Sequence, residues 1–315
     1  MEIVELTRAS AAMLEPLLKE QVESCDRILH WDYAASARLI LDHVEARKLP
    51  GFAAIRDGRV AGYAFLMFEG SKGMVGDFYV ESSGFTKAER RSLELTLICH
   101  CIDTLMTLPE VNRIEAQFLI HPAGTFVHTL VPRGFQRYRR VFLSRSPASC
   151  IPTVRPLSEE IEIRGWTDAD IEPSGALIAA AYQAHVDNIL GDRYRSAANS
   201  LEFLNSVIRF DGCGVFDAAS SCVAFWRSSG ERVGILLGSK LRHDVGHIVQ
   251  LCTAPALRHK GIGEALVRFC AASQAARGMA ELSLTVTEEN VRAVVFYERL
   301  GFQPFHRFDA FIWER

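Results

Sequence analysis

Three groups of residues in the second half of the chain have types and spacings that could do chemistry together. Arg258-x-x-Gly261-x-Gly263 lies between an apolar run that ends at Pro255 and a helical pattern that begins at Ile262. The first amides of a helix have no partner within it and sit at the positive end of its dipole. Glycine also lets a ligand approach the backbone, so this junction suits an anion, and a diphosphate would fit. Tyr297 stands in Asn290-x-x-Ala293-x-x-Phe296-Tyr297-x-x-x-Gly301-Phe302, on the face of a helical pattern that Asn290 can cap and Gly301 ends. Tyr182, His185 and Asp187 gather at the end of another helical pattern, followed by Tyr194 and Arg195, and Tyr182 and His185 are spaced to share a helix face. Each group also has a structural reading: tight packing at the glycines, a core aromatic at Tyr297, a solvated helix end at Tyr182 to Asp187.

The elements that must position these residues follow from periodicity. His247 to Thr253 is apolar and β-branched, as a strand would be, and Ala265, Leu266, Phe269 and Cys270 make one face of a helix running to Ala276. Leu282, Leu284 and Val286 alternate with Ser283 and Thr285 in the next strand. Asn290 can cap the following helix and Gly301 ends it. Upstream, Ile161 and Ile163 begin a strand and Thr167 and Asp168 cap a helix reaching Ala184. A second helix runs over Leu201 to Ile208, and Val215 to Trp226 with Val233 to Leu237 forms a hairpin around Ser228-Ser-Gly230.

The same order occurs earlier. Ile3 and Val4 begin a strand, Ala11 to Leu18 and Ala35 to Ala46 are helical, and Phe52 to Ile55 and Val60 to Phe68 flank an Asp57-Gly58 turn. Met74 to Val80 is a strand, Lys87 to Met106 a long helix and Arg113 to Ile120 a strand, with Val141 to Leu143 closing the half. Gly-Phe-Gln recurs at Gly134 and Gly301, 167 residues apart (301 − 134). A period of this size implies duplication of a whole domain, since solenoid repeats are far shorter. Ser144 to Glu160 holds Pro147, Pro152 and Pro156 without periodicity, which predicts domains over 1–145 and 160–315 with a linker over 146–159.

Composition sets limits. With 315 residues, 49% of them apolar and 23% charged, each half can build a core without disulfides or metals. The net charge of −3, with basic residues scattered apart from Arg137, Arg139 and Arg140, carries no nucleic-acid footprint. No apolar run approaches the roughly 18 residues of a membrane span, and the N-terminus lacks the order of a secretory signal, so a cytoplasmic protein is expected. None of the 8 cysteines forms a C-x-x-C pair. They read as reduced core residues, with a reactive thiol at Cys252 as the alternative.

On the two spaced motifs, the second half resembles the GNAT superfamily of acyl-CoA-dependent N-acyltransferases. Arg258-x-x-Gly261-x-Gly263 is similar to its pyrophosphate loop and Asn290 to Phe302 to its next block, in the expected order with a strand between. The resemblance implies two tandem α/β domains, each a mixed, mostly antiparallel sheet flanked by helices. It implies acetyl-CoA or a longer acyl-CoA as co-substrate, no metal, and a small-molecule or peptide amine as acceptor, with oligomeric state open. The stretch Arg258, His259, Lys260, Gly261, Ile262, Gly263 and Glu264 would hold the pyrophosphate. Leu251, Cys252 and Thr253 would pair with the pantetheine and polarise the thioester, and Asn290 and Phe296 would flank the cofactor.

Tyr297 would then be the acid, and Tyr182, Asp187, Tyr194 and Gln250 would line the acceptor wall. Many relatives carry a Glu where this chain has Val249 and Gln250, which leaves the general base open among His247, His243, His185, Asp187 and Glu288. The missing Glu also keeps a second reading in play, a non-catalytic acyl-CoA sensor or partner-binding module. In the first half, a register that sets Gly73 under Gly246 puts Phe85 to Arg90 at the loop without either glycine. The first half thus reads as a degenerate copy without a donor site. There Arg133, Arg137, Arg139 and Arg140 form either a groove for an acidic acceptor or a solvated strand face, and His100 and His121 are structural.

Overall fold

A computed structural model describes residues 1–151, 156–183, 187–210 and 212–315. The chain divides into one unit of residues 1–140 with 307–315, and a second of residues 141–306. In the first unit the order is β1 (Glu2–Glu5), α1 (Ala11–Leu29), α2 (Ala34–Glu45), β2 (Gly51–Arg56), β3 (Arg59–Glu69), β4 (Lys72–Val80), α3 (Lys87–Thr107), β5 (Arg113–Gln117) and α4 (Val127–Leu130). β6 (Gln136–Arg145) follows and runs on into the second unit. There the order is β7 (Ile161–Gly165), α5 (Ile171–Tyr182), α6 (Asp187–Leu190), α7 (Ala197–Arg209), β8 (Val215–Phe216), β9 (Cys222–Trp226), β10 (Arg232–Arg242), β11 (Val245–Thr253), α8 (Ile262–Ala276), β12 (Glu281–Thr287), α9 (Val291–Arg299) and β13 (Gln303–Glu314).

Each unit is a mixed, mostly antiparallel sheet covered on both faces. The first has strand order β1-β2-β3-β4-β5-β13, with the β4–β5 pair parallel and the others antiparallel among the described residues. One face packs on α3 through Leu97, Ile98, Cys101, Ile102 and Leu105, the other on α1 and α2 through Leu14, Leu17, Leu18, Ile40 and Val44. The second unit contains the run β12-β11-β10-β9-β7, with β8 also on β10 and the β11–β12 pair parallel. α8 and α9 cover one face through Ile262, Leu266, Cys270 and Leu300, and α5 and α7 cover the other through Ile178, Phe203 and Leu204.

The last nine residues join the first unit, where Ala310 to Glu314 pair with Gln117 to Arg113 of β5. A buried ionic group fastens this strand: Arg113 donates to Glu115 at 2.7 Å and also to Glu314. Arg315 donates to the Met106 and Pro109 carbonyls at 3.0 Å, capping the end of α3.

Several element bounds differ from the expected ones: α1 runs on from Leu18 to Leu29, and the strand expected over 141–143 covers Gln136–Arg145. The strand expected over 215–226 is broken at Asp217, whose carbonyl accepts from the amides of Ser220 and Ser221 at 3.1 Å while Arg277 grips its carboxylate at 2.9 and 2.6 Å. β5 stops at Gln117, short of Ile120, because Phe118 and His121 turn into an aromatic cluster. α5 ends at Tyr182, and Ala184 lies outside the described residues.

α5 carries Tyr182 at one end and is anchored at the other by Asp170, which is fully buried. Its carboxylate accepts from Arg164 of β7 at 2.7 and 2.8 Å, from Arg232 of β10 at 2.9 and 2.8 Å, and from the Thr167 amide at 2.9 Å. Burial alone would raise the carboxyl, but the two guanidinium groups and Thr167 hold it well below the usual carboxylate range. A depressed native pKa contributes stability above the unfolded-state value near 3.8 that is lost as pH falls below it. Asp170→Asn is expected to destabilise the second unit by about 3–5 kcal/mol at pH 7. The gap from wild type should narrow below about pH 4, as read by denaturant unfolding across pH.

Candidate active site

β11 and β12 are paired only from Val245↔Glu281 to Ile248↔Leu284, although β11 runs to Thr253 and β12 to Thr287. Where they part, β11 also slips against β10: Leu237 faces Gln250 and Gly238 faces Ile248, so Val249 is an extra residue. Such a bulge kinks the strand and re-aims its side chains. Beyond it, Cys252 packs among the α5 and α7 side chains and Leu251 against the α8 and α9 side. Leu251 and Thr253 stay partly exposed along the open edge.

The first unit repeats this break. β4–β5 pairing ends at Val75↔Ala116, 173 residues (248 − 75) before its counterpart, and β4 carries its extra residue between Val75 and Phe78. There the opening is filled. Phe78 stacks on His121 at 4.3 Å and meets Phe118 and Phe126 at 5.3 and 5.6 Å, all of them buried.

The helix starts differ in the same sense. α3 has a capping box: Thr86 accepts from the Glu89 amide at 3.2 Å, and Glu89 accepts from the Thr86 amide at 2.8 Å. These bonds hold the Glu89 carboxyl below its usual range, so an anion of the chain itself already sits at that helix start. α8 has Gly261 as its cap, in the left-handed region at φ 83°, with no side chain to spend on the first-turn amides. A Cβ at Gly263 would come 3.4 Å from the Phe296 ring, which sets Phe296 against the loop. Arg258 reaches across from the same loop and donates to the Ala181 carbonyl at 2.5 Å, tying the loop to the end of α5. Glu264 pairs with Arg268 at 3.2 Å, His259 adopts a left-handed φ of 63°, and Lys260 is exposed. Asn290 accepts from the Ala293 amide at 3.2 Å as the cap of α9.

Around the parted strands the structure brings together Tyr182, Asp187, Tyr194, Gln250, Cys252 and Tyr297. Tyr182 and Tyr194 stack at 4.1 Å, the Tyr182 hydroxyl donates to the Leu251 carbonyl at 3.5 Å, and the Tyr194 hydroxyl donates to Gln250 Oε1 at 3.1 Å. Asp187 Oδ1 accepts from the Thr287 hydroxyl at 2.6 Å at the end of β12. Tyr297 is buried, edge-on to Phe296 and Phe302. Burial pushes its phenol well above the ordinary tyrosine value, and the charges of Asp187 and Cys252 push it further. Tyr182 is raised too, by burial first and then by Tyr194, Asp187, Cys252 and Tyr297. Both phenols therefore keep their protons at neutral pH. Burial moves the Cys252 thiol up to about 12 against smaller opposing effects from Gln250 and Arg258. Cys252 is a thiol at neutral pH, which counts against the reactive-thiolate alternative.

His247 is buried three residues before Gln250, with Nδ1 at 2.9 Å from the Ser283 hydroxyl and its ring 6.3 Å from Phe142. His243 is exposed in the turn before β11, roughly 20 Å of strand from Gln250, and is out of reach. His185 lies outside the described residues. Glu288, just past β12, is half-buried. Arg133 and Arg137 are paired with Asp103 at 2.6 Å and Asp309 at 2.9 Å, which favours the strand-face reading over an open basic groove. Sequence reasoning did not single out Thr287, whose contact with Asp187 spans 100 residues and leaves no local signal.

Residues 185–302 match the model of the acetyltransferase (GNAT) family. No curated protein matches the sequence. A GCN5-related N-acetyltransferase from Sphaerobacter thermophilus is similar over 99% of this chain and 95% of its own, at 18% identity and a TM-score of 0.63. A tandem GNAT protein from the clavulanic acid biosynthesis pathway is similar over 99% and 98%, at 13% identity and a TM-score of 0.59. An acetyltransferase of the GNAT family from Colwellia psychrerythraea is similar over 100% of both chains, at 14% identity and a TM-score of 0.53. At such identities the likeness to solved structures is one of fold. The family match covers residues 185–302 of the second half, and over the whole chain the fold is that of these neighbours, a tandem GNAT protein among them.

A buried thiol held near 12 resists alkylation in the folded protein. Iodoacetamide at pH 8 is expected to label the exposed Cys150 within minutes and to leave Cys252 unlabelled until denaturant is added, as peptide mass mapping would read.

Proposed function

We propose that the protein is an acyl-CoA-dependent N-acyltransferase. It moves an acyl group, acetyl in the simplest case, from CoA directly to a primary amine at one site in its second half. The observation that carries this reading is the contrast between two equivalent helix starts. α8 opens on Gly261 beside a parted strand edge, whereas α3 is closed by Thr86 and Glu89 beside an aromatic plug.

In this reading Arg258 and the loop through Glu264 take the pyrophosphate at the start of α8, with Phe296 and Asn290 beside it. The pantetheine lies along the open edge of β11 at Leu251 to Thr253, whose amides polarise the thioester carbonyl. The neutral amine attacks the carbonyl carbon, the C–S bond breaks, and the departing thiolate takes the proton that Tyr297 keeps at neutral pH. The proton lost by the amine goes to Asp187 or His247, directly or through water, and His185 remains a further candidate. Tyr182, Tyr194 and Gln250 form the acceptor wall. The competing reading, a non-catalytic acyl-CoA binder, is favoured by the amide at Gln250 and is separated from the enzyme by turnover.

Two outcomes are expected. Tyr297→Phe lowers kcat by about a hundredfold or more with CoA affinity little changed, as steady-state kinetics and calorimetry would read. An unchanged kcat removes Tyr297 from the mechanism. Gly263→Asp abolishes CoA binding by placing a carboxylate where the pyrophosphate must lie, while Ala88→Asp at the exposed start of α3 leaves a calorimetric stoichiometry near one per chain. Loss of binding in the Ala88 variant would mean that the first half takes part in it.

A further inference from the structure

Gln250 stands at the bulge of β11 with 3% of its surface exposed. Its Oε1 accepts from the Tyr194 hydroxyl at 3.1 Å, and this bond fixes which way the carboxamide faces. The other end, Nε2, is buried and meets no nitrogen or oxygen acceptor of the protein, with only the weakly accepting Cys252 sulfur beside it. A buried donor left in that state is costly, so native structures that keep one often have a use for it. The equivalent position of the first unit, 173 residues (250 − 77) earlier, shows the satisfied alternative. There Asp77 accepts from Gln21 Nε2 at 2.5 Å, from the Tyr33 hydroxyl and from the Phe78 amide at 3.0 Å, so the chain's own donors engage both of its oxygens. Gln250 thus keeps the aromatic hydroxyl contact of its counterpart but leaves one donor with no partner stronger than a thiol. Asp187, oriented by Thr287, is close enough to act on both Tyr182 and Tyr297.

We infer that Gln250 determines acceptor specificity: its Nε2 donates to an oxygen of the incoming molecule while Asp187 receives that molecule's ammonium group. The acceptor class is then a primary amine bearing a hydrogen-bond-accepting oxygen near the nitrogen, as in amino-acid amides, amino alcohols or amino sugars, and not a bare alkylamine. This inference rests on the acyltransfer reading for its kinetic test and on the geometry alone for its binding test. A site built to bond a substrate oxygen discriminates strongly against an analogue that lacks it, because the site's own polar group is then stranded.

The test compares alaninamide with 3-methylbutan-2-amine, which has nearly the same shape but replaces the carboxamide with an isopropyl group. With acetyl-CoA as donor, wild type should favour alaninamide in kcat/KM. Gln250→Met, which keeps the volume and removes the donor, should cut that preference by roughly ten- to hundredfold, chiefly through KM. Tyr194→Phe, which unpins the carboxamide, should cut it by less. An unchanged preference in Gln250→Met, or equal losses on both amines, overturns the inference.

The second measurement is calorimetric titration of the CoA-loaded protein with alaninamide. Binding that is present in wild type and lost in Gln250→Met supports the inference even without turnover, an outcome that would count against the acyltransferase reading instead. Failure of wild type to bind alaninamide overturns the inference whatever the kinetics.

Discussion

β11 and β12 hold together for four residue pairs and then separate, and the arrangement of the candidate site depends on that parting. A parallel pair inside a sheet normally satisfies its backbone along its whole length, since unpaired buried amides are expensive. Here the strands run on beyond Ile248 and Leu284 with an edge left for something else to pair with. The extra residue at Val249 accompanies the separation, and from it follow the placement of Gln250, Leu251 and Cys252 and the approach of Tyr182 to the Leu251 carbonyl. The start of α8 lies just beyond the end of the same strand, so a ligand that pairs with the edge meets a helix dipole at its end.

The two units differ at equivalent positions in how far their own side chains close the opening. Both have the parted pair, the extra residue, the helix that follows and a tyrosine hydroxyl directed at the bulge. In the first unit each feature is closed by a side chain of the unit itself: Phe78, Phe118 and Phe126 fill the gap, Thr86 and Glu89 occupy the helix start, and Gln21 and Tyr33 satisfy Asp77. A fold that must leave an edge and a helix start open for a ligand gives up packing there, and the first unit recovers it with aromatic burial and a capping box.

In the second unit, burial keeps Tyr182, Tyr297 and Cys252 protonated at neutral pH, and the Asp187 carboxylate adds to this at the two tyrosines. That suits direct transfer, in which a phenol donates a proton and no thiolate intervenes as a covalent carrier. Arg258 joins the two sides of this arrangement, since it leaves the glycine loop to hold the end of α5 at Ala181, next to Tyr182.

The sequence by itself determined the order of elements, the duplication and the glycine loop with its downstream tyrosine, because helix and strand periods and turn residues act over a few positions. It also carried the register between the halves, since Gly73 and Gly246 occupy the same paired position in their strands. Only the tertiary structure decided the rest, because those contacts join residues far apart in the chain. No local pattern tells that Asp187 meets Thr287, that Tyr194 orients Gln250, or that His243 stands at the wrong end of its strand. The break at Asp217 depends on a grip by Arg277 from another element, and the pairing of the last strand with β5 depends on which edge was left open. Spacing along the chain specifies which groups exist; three-dimensional packing specifies which of them face one another, and the proton states at this site follow from that.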